Sequence, residues 1–118
     1  MQFLLHGAIP PDIQAALVKA KHVCHTMEEL AEGVGEPRQF LAMLSKKQWN
    51  LITTDGDFLR QLYEQKIAFD GIIVQLLDTA ESAIPRLFER YPRLTPRRLY
   101  MITRSRVKIR QLPGAAQA

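Results

Sequence analysis

Apolar and polar positions alternate in blocks along the chain, and each block closes on turn residues. Phe3-Leu4-Leu5-His6 is a short apolar run ended by Gly7 and the Pro10-Pro11 pair, the pattern of a buried strand followed by a turn. Pro11 suits the first turn of a helix, and Ile13, Ala16, Leu17 and Ala20 fall at i, i+3, i+4 and i+7. That period predicts a helix running to about Lys21. His22 to His25 reads as a second strand. Thr26 and Glu29 have the spacing of a capping box, which predicts a brief helix from Met27 to about Glu32 before the break at Gly33-Val34-Gly35. Pro37 opens a further helix, with Phe40, Leu41 and Leu44 facing inward and Lys46 and Lys47 at the negative end of its dipole.

Leu51 to Thr54 follows as a third strand, and Asp57 is the expected N-cap of a helix from Phe58 to about Gln65 that buries Phe58, Leu59 and Leu62. Gly71 then introduces Ile72 to Leu77, apolar on both faces, as a central parallel strand covered on two sides reads. This run is the expected most buried strand. A helix from about Glu81 to Tyr91 presents Ile84, Leu87, Phe88 and Tyr91, and Pro92 and Pro96 stop it. Leu99 to Thr103 and Val107 to Arg110 flank Arg104-Ser105-Arg106 and predict a terminal antiparallel hairpin. The alternation predicts an α/β fold, a three-layer α/β/α sandwich with a mainly parallel sheet and the hairpin extending one edge. One domain spans residues 1–112, and residues 113–118 are the expected frayed tail. In such a sheet ligands bind past the C-terminal strand ends where the strand order reverses, here His6-Gly7 and Thr53 to Asp57.

Composition narrows the class. With 118 residues, 47% hydrophobic and 24% charged, the chain has the proportions of one ordinary globular domain, which excludes disorder. No stretch approaches the ~20 apolar residues of a membrane span, and the apolar opening is too short for a signal-peptide core, so a soluble cytoplasmic protein is expected. A single cysteine, Cys24, leaves no internal disulfide and no Cys-based zinc site, and reads as a small buried apolar residue. The net charge of +4 is uneven: residues 1–85 carry seven Lys or Arg against eleven Asp or Glu, a balance of −4, whereas residues 86–118 carry nine against one, a balance of +8. This asymmetry points to an acidic partner, nucleic acid foremost or an acidic protein surface, against the plain alternative of a solvated Arg-rich face.

Two clusters carry candidate chemistry. Asp55 and Asp57, at a strand end, can share a hard cation such as Mg²⁺ or Mn²⁺, which polarises a phosphoryl oxygen and lowers the pKa of a water nucleophile. The plain alternative is that Asp57 caps a helix while Asp55-Gly56 makes the turn. In the tail, Arg104 precedes Arg106, Lys108 and Arg110, whose spacing by two would aim them from one strand face along a row of phosphates. Tyr100 can stack on a base, although Tyr100 and Trp49 read first as packing residues, and His22 and His25 as structural ones.

The residues Met1 to Leu5, Ile9-Pro10-Pro11, Leu17, His22, Leu51-Ile52-Thr53-Thr54-Asp55-Gly56-Asp57-Phe58 and Arg106 to Arg110 together resemble the small PIN-like proteins. These form a branch of the PIN-domain nuclease superfamily, often encoded as the toxin of toxin–antitoxin pairs. The resemblance spans nearly the whole chain and is strongest in Thr53, Asp55, Asp57 and Phe58. It implies an acidic pocket holding Mg²⁺ or Mn²⁺ for RNA cleavage, an antitoxin protein as partner, and homodimerisation. The family pattern has an Asp at the end of the first strand where this chain has His6 and Gly7, and an acid at the start of the third helix, for which Glu36 is one position out of step. The implied metal ligands are Asp55, Asp57 and Glu36. Loss of a carboxylate weakens Mg²⁺ binding, while a neutral His6 would suit Mn²⁺ or Zn²⁺ or act as a general base, against the alternatives of a satisfied polar residue at a strand end or the mark of a pocket that has lost catalysis. The rival expectation is a catalytically inactive PIN-like protein that binds nucleic acid or a partner protein through the basic hairpin.

Overall fold

The computed structural model describes residues 1–30 and 35–113. Six strands and four α-helices alternate as β1 (Gln2–His6), α1 (Pro11–Lys19), β2 (Val23–His25), α2 (Pro37–Lys47), β3 (Asn50–Thr53), α3 (Gly56–Glu64), β4 (Ile73–Leu76), α4 (Ala83–Arg90), β5 (Arg98–Ile102) and β6 (Val107–Gln111). Pro11 and Pro37 open α1 and α2, where a missing N–H costs nothing. The strands form one sheet in the order β2-β1-β3-β4-β5-β6, with every pairing parallel except the antiparallel β5–β6 hairpin. The chain is a three-layer α/β/α sandwich, as the alternation predicts.

Strand alternation divides the core. On one face Phe3, Leu5, Ile52, Val74, Tyr100 and Ile102 pack under Ile13 and Leu17 of α1 and Ala83, Ile84 and Leu87 of α4. On the other, Leu4, Leu51, Ile73 and Leu99 pack under Phe40, Leu41 and Leu44 of α2 and Phe58, Leu59 and Leu62 of α3. Losing any one of the fully buried leucines here, Leu51 for example, costs about 2–5 kcal/mol. Tyr100 is a core residue whose hydroxyl oxygen accepts the Thr95 N–H at 2.8 Å. Cys24 is half-buried against the first face, and burial pushes its thiol pKa up, away from reactive thiolate.

Four expectations need correction. The α3 cap is Asp55, not Asp57: an N-cap oxygen reaches the N–H three residues on, and Asp55 Oδ1 accepts that of Phe58 at 3.1 Å. Asp57 instead sits in the first turn, exposed, within 3.3 Å of Arg60. The strand after Gly71 is shorter than its apolar run, because Leu77 lies outside it, 58% exposed, and Gln75 is only half-buried. The helix after Thr26 is a single 3₁₀ turn, Met27–Glu29, in which a Glu29 carboxylate oxygen accepts the Thr26 N–H at 2.6 Å. Its expected extension to Glu32, and all but the first residue of the frayed tail, lie outside the described residues.

The fourth concerns the tail. β6 begins at Val107, so Arg106 belongs to the turn, where Thr103 closes the loop: its N–H and hydroxyl both donate to Arg106 O, at 2.9 and 3.0 Å. Lys108 and Arg110 stand opposite Met101 and Leu99 and share the α3 face. Arg106 lines a concavity on the α4 face with Arg86, Arg90 and Val107. The three cations therefore flank the edge from both sides instead of forming a single row.

Candidate functional site

β1 lies between β2 and β3, and the chain leaves it in opposite lateral directions, so the order reverses between β1 and β3. Register sets His6 opposite Thr53. The expected junction of the two strand ends is thus present, and one backbone and one side-chain hydrogen bond lock it. Thr54 N–H donates to His6 O at 3.2 Å, and Ala8 N–H donates to Thr54 Oγ1 at 2.9 Å. Gly7 makes this approach possible: its φ is +86°, and a Cβ there would stand 2.5 Å from Thr54 Oγ1.

His6 is buried between Phe58 and Phe40, ring centroids at 5.0 and 5.6 Å, with Nδ1 2.8 Å from Thr53 Oγ1. Thr53 is fully buried, and its hydroxyl oxygen also accepts the Asp55 N–H at 2.9 Å. A hydroxyl has one hydrogen, and among the described residues Nδ1 is its only acceptor. The hydroxyl therefore donates to Nδ1, and the neutral ring carries its proton on Nε2. His6 presents a donor. As the expected general base or metal ligand it would need a lone pair at Nε2, which moves the proton to Nδ1 and strands the buried Thr53 hydroxyl, at a cost of about 1–3 kcal/mol.

Burial pulls the His6 pKa below its ordinary 6.5, partly opposed by the Asp55 charge. His22, stacked on Phe88 at 4.5 Å, is lowered as well, by burial and then by the N-terminal ammonium. In both cases the unfolded chain binds the extra proton more readily. Their contribution to stability is whole above about pH 6.5 and declines as pH falls through that value towards the folded-state pKa. Urea melts at about pH 7.5 and 5.5 should show a loss of stability on acidification that is smaller in His6→Gln. Equal losses in the two proteins would remove His6 from this account.

The acids do not converge. Asp55 commits Oδ1 to the Phe58 N–H, Asp57 faces solvent beside Arg60, and Glu36 is exposed at the start of α2 without a cap bond. Among the described residues no group of three or more His, Cys, Asp or Glu side chains is placed to hold a metal ion. The residues present do not fit the Mg²⁺ or Mn²⁺ centre expected from Asp55, Asp57 and Glu36.

The basic edge is better built. Arg104, Arg106, Lys108 and Arg110 are all exposed, and among the described residues none is in an ion pair. Arg86 holds the turn that carries two of them: its guanidinium donates to Asp78 at 2.6 Å and to the carbonyls of Thr103 and Arg104 at 2.9 and 3.0 Å. Sequence reading passes over Arg86, since nothing local marks partners 8 and 17 residues away. It also misses Tyr63, whose ring lies 3.9 Å from the Arg110 guanidinium and whose hydroxyl donates to Gln111 O at 2.8 Å. Burial pushes the Tyr63 phenol pKa up, partly opposed by Arg110.

No family model, curated protein or solved structure matches this chain. None of the described helices is long and apolar enough to cross a membrane.

Proposed function

We propose that the chain is a single-stranded RNA-binding protein on a PIN-like scaffold, which engages phosphates through the β5–β6 edge and needs no divalent metal to do so. The observation that carries this reading is the gathering of exposed cations, Arg104, Arg106, Lys108 and Arg110, unpaired among the described residues, at one edge of the sheet. Surface cations that have no intramolecular partner lose little by engaging phosphates, and each phosphate neutralised releases counterions. The Arg86 bonds hold the turn in place, so the binding surface is largely organised before RNA arrives.

A second reading, a metal-dependent ribonuclease of toxin–antitoxin type with an antitoxin protein as partner, draws support from the meeting of His6, Thr53 and Asp55 at the point where strand order reverses. The scatter of Asp57 and Glu36 weighs against it. One experiment separates the two. A labelled RNA oligomer is titrated with the protein in excess chelator and again with Mn²⁺ or Mg²⁺, and the RNA is then resolved on a gel. The binding reading expects equal affinity in both buffers and intact RNA. Cleavage that appears with metal and disappears in Asp55→Asn would establish the second reading.

A further inference from the structure

Beside the basic edge a concavity opens on the α3 face of the sheet, lined by α3 residues and by residues of β4, β5 and β6. The concavity has a volume of about 370 Å³, within the ~300–1,000 Å³ range of ligand clefts. Leu59, Leu99 and Met101 contribute apolar surface, Gln75 rises from the central strand β4, and Tyr63 and Arg110 stand at the side. Each polar group here is informative. Gln75 is half-buried, and among the described residues no side-chain hydrogen bond involves its amide, which offers a donor and an acceptor in one plane. The Arg110 guanidinium lies 3.9 Å from the Tyr63 ring centroid, and Arg110 is exposed and meets no other ring among the described residues, so it can offer a planar face to a further ring.

Charge decides what kind of ligand fits. Arg60, the other cation of this concavity, lies within 3.3 Å of Asp57 and 3.7 Å of Glu64, so its charge is locally offset and Glu64 opposes an anion. A phosphate is poorly served there. A flat, uncharged heterocycle with donors and acceptors on its rim is well served, by stacking on Arg110 and hydrogen bonding to Gln75. Lys108, two residues from Arg110 on the same face, stands where the attached phosphate would run.

The geometry points to this concavity as the seat of one unpaired nucleobase, layered on the Tyr63–Arg110 pair and read at its edge by Gln75. The inference rests on the RNA-binding reading and specifies where that RNA places a base. It also separates two duties along β6: stacking for Arg110 and phosphate contact for Lys108.

The test compares an RNA octamer with an abasic oligomer of equal length and charge, both in chelator, by fluorescence anisotropy. Stacking and edge contacts to one base predict about tenfold tighter binding of the octamer. Arg110→Lys keeps the charge and removes the plane, so its affinity for the abasic oligomer should hold while the preference falls to about twofold. Gln75→Leu should lower the preference as well, and Arg110→Lys, on an exposed edge strand, keeps the test valid if Gln75→Leu fails to fold. Equal binding of both oligomers by the wild type would overturn the base site and leave the phosphate reading standing. A preference that survives Arg110→Lys would place the base elsewhere, and binding of neither oligomer would overturn both.

Discussion

Replacing Arg104, Arg106, Lys108 and Arg110 together with Gln is expected to lower RNA affinity by about a hundredfold or more at low salt. Each phosphate neutralised on a single strand contributes about −0.7 to the slope of log K against log salt. With Arg104, Arg106 and Lys108 on phosphates and Arg110 on a base, the slope should flatten by about 2 in the variant. Thermal stability should change little, since these side chains are exposed and the Arg86 bonds are made to backbone carbonyls. Anisotropy titrations at three or four salt concentrations measure both quantities. An unchanged slope would show that the edge touches no phosphate, whatever the affinity does.

Gly7→Ala is expected to produce one of the larger losses of stability available to a single methyl group. Its left-handed φ of +86° costs an alanine about 1–2 kcal/mol, and the new Cβ, 2.5 Å from Thr54 Oγ1, forces that hydroxyl off the Ala8 N–H. Together these amount to about 2–4 kcal/mol, read as a lower urea midpoint at constant slope. The variant Thr54→Ala removes the obstacle along with the hydrogen bond, so the double variant should lose less than the two single losses combined. Full additivity would mean that Gly7 and Thr54 act independently and that the loop junction is not locked as described.

Much of the architecture can be read from local signals. Prolines at the first turns of α1 and α2, the i, i+3, i+4 spacing of Ile13, Ala16 and Leu17, and the Arg104-Ser105-Arg106 break between two β-rich runs each depend on neighbours within one element. Even the pairing of His6 with Thr53 follows from the usual topology of alternating strands and helices. The site was less legible because its contacts cross large sequence separations. Asp55 and Asp57 are equivalent by composition, and only the backbone path after Thr53 gives the cap to Asp55. Whether Arg106 sides with Lys108 depends on where the strand begins, and one residue at that boundary moves it from the α3 face to the α4 face. The pairing of Tyr63 with Arg110 and the grip of Arg86 on the hairpin turn exist only once the sheet is assembled.

The His6 network explains why a Thr-x-Asp-x-Asp-Phe stretch need not signify a metal centre. Its Thr orients an imidazole, its first Asp caps a helix, and its second Asp pairs with an arginine one turn later. Each of these residues has a structural partner, and among the described residues no group of three or more His, Cys, Asp or Glu is placed to hold a divalent ion.

The working surface proposed for the protein is the hairpin edge and not the junction of β1 and β3. Backbone amide shifts of the ¹⁵N-labelled protein, followed as an RNA octamer is added in chelator, address that directly. The expected result is a set of perturbations centred on Arg104, Arg106 and residues 108–111, extending to Tyr63 and Gln75. Perturbations centred instead on His6, Gly7, Ala8 and Thr53 to Asp55, with the hairpin silent, would contradict it.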